Sequence, residues 1–132
     1  MFGATVKAHP KHEKKIRGAI LVVEDEVLVR MMIAGDLRNA GYTVIEASTA
    51  REALELLRQM GKDVRLIFSD VRMPGTMDGT AMARSVRSEF PAIKIMLTSG
   101  NLTGLEGAKH DGFFLKPYDS AKIIKHITAL LN

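Results

Sequence analysis

Five short strand-like runs, each followed by a turn signal or a stretch of helical periodicity, leave this chain few folds to choose from. They are Ala19 to Val23, Thr43 to Glu46, Arg65 to Ser69, Ile93 to Leu97 and Phe113 to Leu115. The first is an uninterrupted apolar run, the pattern of a strand buried on both faces. Strands of this kind alternating with helix-period segments are the signature of βα units around a parallel sheet. The first helix is expected over about Glu26 to Ala40, with Leu28, Met31, Met32 and Leu37 inward and Gly41 as a left-handed stop. The second opens on a capping box, Thr49 with Glu52, turns Ala53, Leu54, Leu57 and Met60 inward, and ends at Gly61. Asp78 caps a third helix that carries Met82, Val86 and Phe90 on one face and is closed by Pro91. The glycine-rich stretch from Gly100 to Gly112 leaves room for only a short helix, around Leu105 to Lys109. The last helix, capped by Asp119 or Ser120, buries Ile123, Ile124, Ile127 and Leu131.

A chain of 132 residues, 46% apolar and 26% charged, is long enough for one domain with a proper core and no staples. It has no cysteine, which excludes disulfides, thiolate metal sites and a cysteine nucleophile. No apolar stretch approaches the roughly 20 residues needed to span a bilayer, and no signal-like segment is present, so a cytoplasmic protein is expected. The net charge of +4 is concentrated in residues 1 to 18, where five basic side chains face one acidic one. That segment reads as a flexible basic arm. The remainder is balanced and gives no sign of a nucleic-acid surface. The eight methionines are read as core filler, and the four histidines show no ligand spacing.

The chemistry lies at the ends of the runs. The first strand ends in Glu24 and Asp25, the third in Asp70, the fourth in Thr98 and the fifth in Lys116. In an open α/β sheet, the carboxyl ends of the strands are where ligands collect. Three clustered carboxylates repel one another unless something compensates them. Mg²⁺, with its preference for carboxylate, water and phosphate oxygens, is the expected compensation. A carboxylate beside Mg²⁺ is also a competent nucleophile toward phosphorus, and Lys116 and the Thr98 hydroxyl can neutralise phosphoryl oxygens. Each feature alone has a bland reading: an acid pair at a helix start, a Lys-Pro turn, a Thr-Ser turn. Their conjunction on like ends of separate strands points to a site.

The segments Leu21-Val-Val-Glu-Asp-Glu, Phe68-Ser-Asp-Val-Arg-Met-Pro, Met77-Asp-Gly, Leu97-Thr-Ser and Phe114-Leu-Lys-Pro-Tyr together resemble the receiver domain of two-component response regulators. The resemblance covers residues 19–132. It implies a flavodoxin-like (βα)5 three-layer sandwich with a parallel sheet in the order 2-1-3-4-5, in which the shorter, glycine-rich Thr98 to Lys116 connection of this chain makes the fourth helix short or irregular. It makes Asp70 the phosphoacceptor, Asp25 a direct Mg²⁺ ligand, Glu24 a ligand through water, and the Arg72 carbonyl a further ligand. Lys116 is then the partner of Asp70, Thr98 the switch hydroxyl, Phe113 the switch aromatic, and Lys116-Pro117 a cis peptide. The implied partners are a sensor histidine kinase or histidine phosphotransfer protein and an output protein, with a homodimer also open. No membrane contact is implied.

Three departures stand out. The Pro74 to Gly79 loop is one residue longer than the commonest form, the Thr98 to Lys116 connection is shorter, and nothing follows the last helix. The last suggests a stand-alone regulator without a DNA-binding output domain, although the C-terminal receiver of a hybrid kinase reads similarly. On this resemblance the chain catalyses only its own phosphorylation and dephosphorylation. Two rivals are a Mg²⁺-dependent phosphohydrolase, which would need a substrate pocket and a dedicated acid-base residue, and a constitutive scaffold, which would not need the whole set of site residues.

Overall fold

In the computed structural model the described residues are 18–73, 75, 77–101 and 109–132. The strands are β1 (Ala19–Val23), β2 (Val44–Ala47), β3 (Val64–Asp70), β4 (Lys94–Ser99) and β5 (Gly112–Leu115). The helices are α1 (Val27–Asn39), α2 (Ala50–Met60), α3 (Gly79–Glu89) and α4 (Ser120–Leu131), with a single 3-10 turn at Gly61–Asp63. All five strands are parallel, in the order β2-β1-β3-β4-β5, as the flavodoxin-like reading requires. Strand ends differ from the sequence expectation by one or two residues. The basic arm, most of the Leu105 to Lys109 helix and the extra residue of the Pro74 loop involve residues 1–17, 102–108, 74 and 76, which lie outside the described set.

The apolar runs work because successive side chains of a strand point to opposite faces of the sheet. Ile20, Val22, Leu66, Phe68 and Met96 face one way and pack under α1 and α4 with Ile33, Leu37, Ile123 and Ile127. Leu21, Val23, Ile67, Ile95 and Leu97 face the other and meet Leu54, Leu57, Met82 and Val86 of α2 and α3. A strand with helices on both sides needs both sets apolar, so β1 is buried at all five positions.

The helix termini follow their capping residues. Thr49 accepts from the Glu52 amide at 3.0 Å. The Glu52 carboxylate reaches past Thr49 to the Ser48 amide, at 2.7 Å, so the box closes one residue earlier than the motif suggests. Asp78 accepts from the Ala81 amide and Asp119 from that of Ala121, each at 2.9 Å, which settles the last cap on Asp119. Gly41 leaves α1 at a φ of 102°, a conformation open to glycine at no steric cost.

The inward face of α1 is a correction. Of the expected stripe only Leu37 is buried; Leu28, Met31 and Met32 are 75%, 56% and 70% exposed. The helix carries two apolar stripes on opposite sides. Ile33 and Ala34, four and three residues before Leu37, complete the buried one, and periodicity by itself cannot choose between them. Met31 and Met32 are therefore surface residues and not core filler, whereas Met82 and Met96 are fully buried. Met60, Phe90 and Ile124 are only half-buried. Among the described residues no helix is long and apolar enough to cross a membrane.

The start of β5 is fastened by Asp111. Its carboxylate accepts from the Ile95 amide at 2.8 Å and from Arg87 at 3.1 Å, and its carbonyl lies 3.1 Å from His126 Nε2. Burial by itself would raise the Asp111 carboxyl, but the Ile95 amide and the Arg87 guanidinium outweigh it and hold the group below its ordinary value. A carboxyl depressed in the folded state contributes stability that is complete above its unfolded value of about 4 and fades as pH falls through the folded value. We expect Asp111→Ala to cost about 1 kcal/mol at neutral pH, allowing for partial exposure. Urea unfolding of both proteins should show the gap narrowing below about pH 4; a gap independent of pH would assign the effect to packing.

Candidate functional site

Strand register assembles the site. Val23 of β1 pairs with Ser69 of β3, Asp70 with Thr98 of β4, and Ser99 with Leu115 of β5. Glu24, Asp70, Thr98 and Lys116 consequently lie in one row along the carboxyl edge. Carboxylate oxygens of Glu24, Asp25 and Asp70 all lie within 4.8 Å of one another. Glu24 and Asp70 are 3% and 6% exposed, and Asp25 is half-buried at the mouth.

One ammonium holds the two buried acids. Lys116 Nζ donates to Asp70 Oδ2 and to Glu24 Oε1, both at 2.9 Å. The bond to Asp70 is the expected pairing; the bond to Glu24 is an addition that sequence reasoning does not supply. Burial would lower the Lys116 pKa, but the two carboxylates more than reverse this and hold it well above the ordinary lysine value. Burial raises Glu24, with Lys116 and the Glu26 amide opposing; that amide donates to Glu24 Oε2 at 3.1 Å. Tyr118, beside them, is pushed up to about 12, chiefly by burial and then by the charge of Glu24.

The remaining groups occupy separate places. The Arg72 amide donates to Asp70 Oδ1 at 3.3 Å. The Thr98 hydroxyl is buried without a hydrogen-bond partner among the described residues, although the backbone carbonyl of Thr98 accepts from the Val71 amide at 2.8 Å. Phe113 is not in the acid cluster. It pairs with Leu97 in register, packs half-buried against the core beneath α2 and α3, and has its ring 6.3 Å from that of His110. The Lys116-Pro117 peptide is cis.

Three acids against one ammonium leave two uncompensated charges in a largely buried cleft. A hard divalent cation fits that deficit, since every available ligand atom is oxygen. The buried, unpaired Thr98 hydroxyl is a second opening for a ligand, because leaving such a group unmet costs about 1–3 kcal/mol.

Asp78 is expected as a cap, and its neighbour Gly79 belongs to the Met77-Asp-Gly segment with no role assigned to it from the sequence. The Gly79 amide donates to the Val71 carbonyl at 2.8 Å, bringing the start of α3 directly against the end of β3. A Cβ at Gly79 would run into the carbonyl oxygen of Asp70 and lie 2.9 Å from Val71 Cα. The Asp-Gly pair at a helix start is the available signal, since a glycine there marks close backbone approach.

A family model described as the response regulator receiver domain matches residues 20–128. The chain is 35% identical over 133 residues to the sensor kinase CckA of Brucella abortus, a match covering 91% of this chain and 14% of the kinase. It spans less than half the length of the transcriptional regulators it also matches. Among solved structures, the receiver domain of the hybrid histidine kinase CckA is similar at 35% identity and a TM-score of 0.75, covering 87% of this chain and 100% of that one. The response regulator TrrA of Thermotoga maritima, solved in complex with Mg²⁺-BeF, is similar at 25% identity and a TM-score of 0.77, covering 86% and 98%.

Backbone cannot swing aside as a side chain can. We expect Gly79→Ala to destabilise by about 1–3 kcal/mol. Gly35 is the contrast: it lies inside α1, and a methyl group there would meet nothing within 4 Å. Gly35→Ala should therefore stabilise by about 0.5–1 kcal/mol. Urea denaturation midpoints of the two variants should move in opposite directions.

Proposed function

The chain belongs to the response regulator receiver domain family, and from that premise we propose that it accepts a phosphoryl group from a phosphohistidine on Asp70 in a Mg²⁺-dependent reaction. Receiver domains are signalling domains that work with histidine kinases and output proteins. The observation that carries the reading is the setting of Asp70, buried among two further carboxylates with an ammonium on one oxygen. Similarity to TrrA, solved with Mg²⁺-BeF, supports it.

On this reading an Asp70 carboxylate oxygen attacks phosphorus, the P–N bond to the donor imidazole breaks as the new P–O bond forms, and the donor nitrogen keeps the electron pair. Glu24, Asp25, Asp70 and the Arg72 carbonyl are the groups that would hold Mg²⁺. When bound, the ion would offset the charge that accumulates on the phosphoryl oxygens. Lys116 moves its donors from Asp70 Oδ2 toward the incoming oxygens, where a charge-assisted bond is stronger than the one it leaves. The Thr98 hydroxyl, unpartnered in the unmodified protein, gains an acceptor. Its shift draws the end of β4 toward Asp70, and Phe113, one register step away, turns into the space released. β5 and α4 then present the changed face to an output protein or a second copy.

The outward stripe of α1 gives a donor protein something to grip. Val27, Leu28, Met31 and Met32 are all more than half exposed. A groove of about 400 Å³ runs from Met32 and Ile33 to Pro117 and Tyr118, beside Lys116. Exposed apolar patches of this kind mark protein contacts. Residues 1–18 are proposed as a separate basic arm and 19–132 as the receiver domain.

Treatment with acetyl phosphate and Mg²⁺, read by intact mass, should add one phosphoryl group to the wild type and none to Asp70→Asn or to wild type with chelator. A phosphoryl group on Asp70→Asn would move the acceptor elsewhere. Thr98→Ala should still be modified but should lose the hydrogen-exchange changes in β5 and α4 that beryllofluoride induces in wild type. Deleting residues 1–17 should leave modification unchanged; a loss would make the arm part of the reaction.

A further inference from the structure

Resting on the phosphoacceptor reading above, we infer that Arg30 is a positioning residue that fixes the direction in which Asp25 presents its carboxylate to the metal. Arg30 lies one turn into α1 with its side chain mostly buried. Its Nη1 donates to the Glu24 carbonyl at 2.9 Å and its Nε to Glu46 Oε1 on β2 at 3.2 Å. Glu46 is itself a fixed post, since Arg38 Nη1 holds Oε2 at 3.0 Å while Arg38 Nη2 donates to the Val44 carbonyl at 3.0 Å.

The peptide pinned in this way is the one joining Glu24 to Asp25. The two acids depend on it unequally. The Glu24 side chain is fixed independently by Lys116 and the Glu26 amide, and its own amide donates to the Ala47 carbonyl at 3.1 Å. The Asp25 carboxylate makes no hydrogen bond among the described residues, so its direction is inherited from the backbone. Its place in the 4.8 Å cluster rests on the Cα–Cβ direction that the 24–25 peptide sets. A guanidinium fork can hold a carbonyl and a carboxylate at once; a lysine ammonium lacks that fixed geometry.

The sign of the effect separates positioning from plain charge. A cation beside a metal site repels the metal, so a purely electrostatic role makes Mg²⁺ bind more tightly once the guanidinium is removed. A positioning role makes it bind more weakly, and Arg30→Lys, which keeps the charge but not the fork, should share the loss. Outer groups that orient metal ligands are worth about tenfold or more in affinity.

The test is a Mg²⁺ titration of wild type, Arg30→Lys, Arg30→Met and Arg87→Met. It is followed by the amide chemical shifts of Asp25 and Val71, with thermal midpoints in EDTA. We expect both Arg30 variants to raise the Mg²⁺ dissociation constant about tenfold. Arg87→Met, which loses the ion pair to Asp111 and touches neither Glu24 nor Glu46, should lower the midpoint and leave the constant unchanged. Arg30 variants that bind Mg²⁺ as tightly as wild type, or more tightly, overturn the inference. If Arg30→Met does not fold, Arg30→Lys decides it alone. A wild type showing no shift at millimolar Mg²⁺ overturns the phosphoacceptor reading, an outcome distinct from failure of the Arg30 role within a working site.

Discussion

Two carboxylates buried side by side are tolerable here because one ammonium touches both. Glu24 and Asp70 have almost no access to water, and each loses solvation that only a close opposite charge can replace. Lys116 supplies it from a third strand, at 2.9 Å to each. The contact also joins distant parts of the chain, since Glu24 follows β1, Asp70 ends β3 and Lys116 follows β5. The neutralisation is incomplete, because Asp25 shares the cleft. The protein therefore folds around a deficit of positive charge, and the deficit is what makes the cleft a site and not merely a salt bridge.

Topology places that deficit. In the order β2-β1-β3-β4-β5 the connection from β1 runs outward to β2 and the connection from β2 returns past β1 to β3. Helices consequently leave β1 and β3 toward opposite faces of the sheet, opening a crevice between their carboxyl ends. Glu24, Asp25 and Asp70 line that crevice. Gly79 borders it on one side, because only a residue without a side chain lets α3 begin against the Asp70 carbonyl. Arg30 and Glu46 brace the other side from α1 and β2. The framework around the acids is thus built from contacts among backbone groups, a guanidinium and the Lys116 ammonium, which fix Glu24 and Asp70 without cancelling the charge of all three acids.

Much of this is legible in the residues because each site group stands at the end of a recognisable run, and parallel strands put like ends together. Glu24, Asp25, Asp70, Thr98 and Lys116 need only the order of the strands to be gathered. The two faces of α1 are not legible, since Leu28-Met31-Met32 and Ile33-Ala34-Leu37 obey the same periodicity and only the sheet decides which is covered. Arg30 is equally hidden. Its partners are a backbone carbonyl and a β2 glutamate, contacts set by how α1 lies on the sheet and by nothing in local sequence. Glu52 bonding to the amide and hydroxyl of Ser48 in place of the Thr49 amide is a smaller case of the same kind, in which the motif is present but the reciprocal bond lands one residue earlier.

The Thr98 hydroxyl shows how the fold and its proposed use pull against each other. A threonine hydroxyl buried without a partner among the described residues carries a cost of about 1–3 kcal/mol, and valine would fill nearly the same space without it. The cost falls beside Asp70, the residue paired with Thr98 in register. A phosphoryl group on Asp70 would offer that hydroxyl an acceptor at the end of its own strand, converting a penalty in the unmodified protein into a bond in the modified one. Energy withheld from one state and released in the other is what biases a two-state element. On this account the orphan hydroxyl belongs to the mechanism, in the same way that the uncompensated carboxylates belong to the metal site. The fold leaves a net negative charge in one place and a hydroxyl without an acceptor among the described residues in the other, and a ligand could satisfy each.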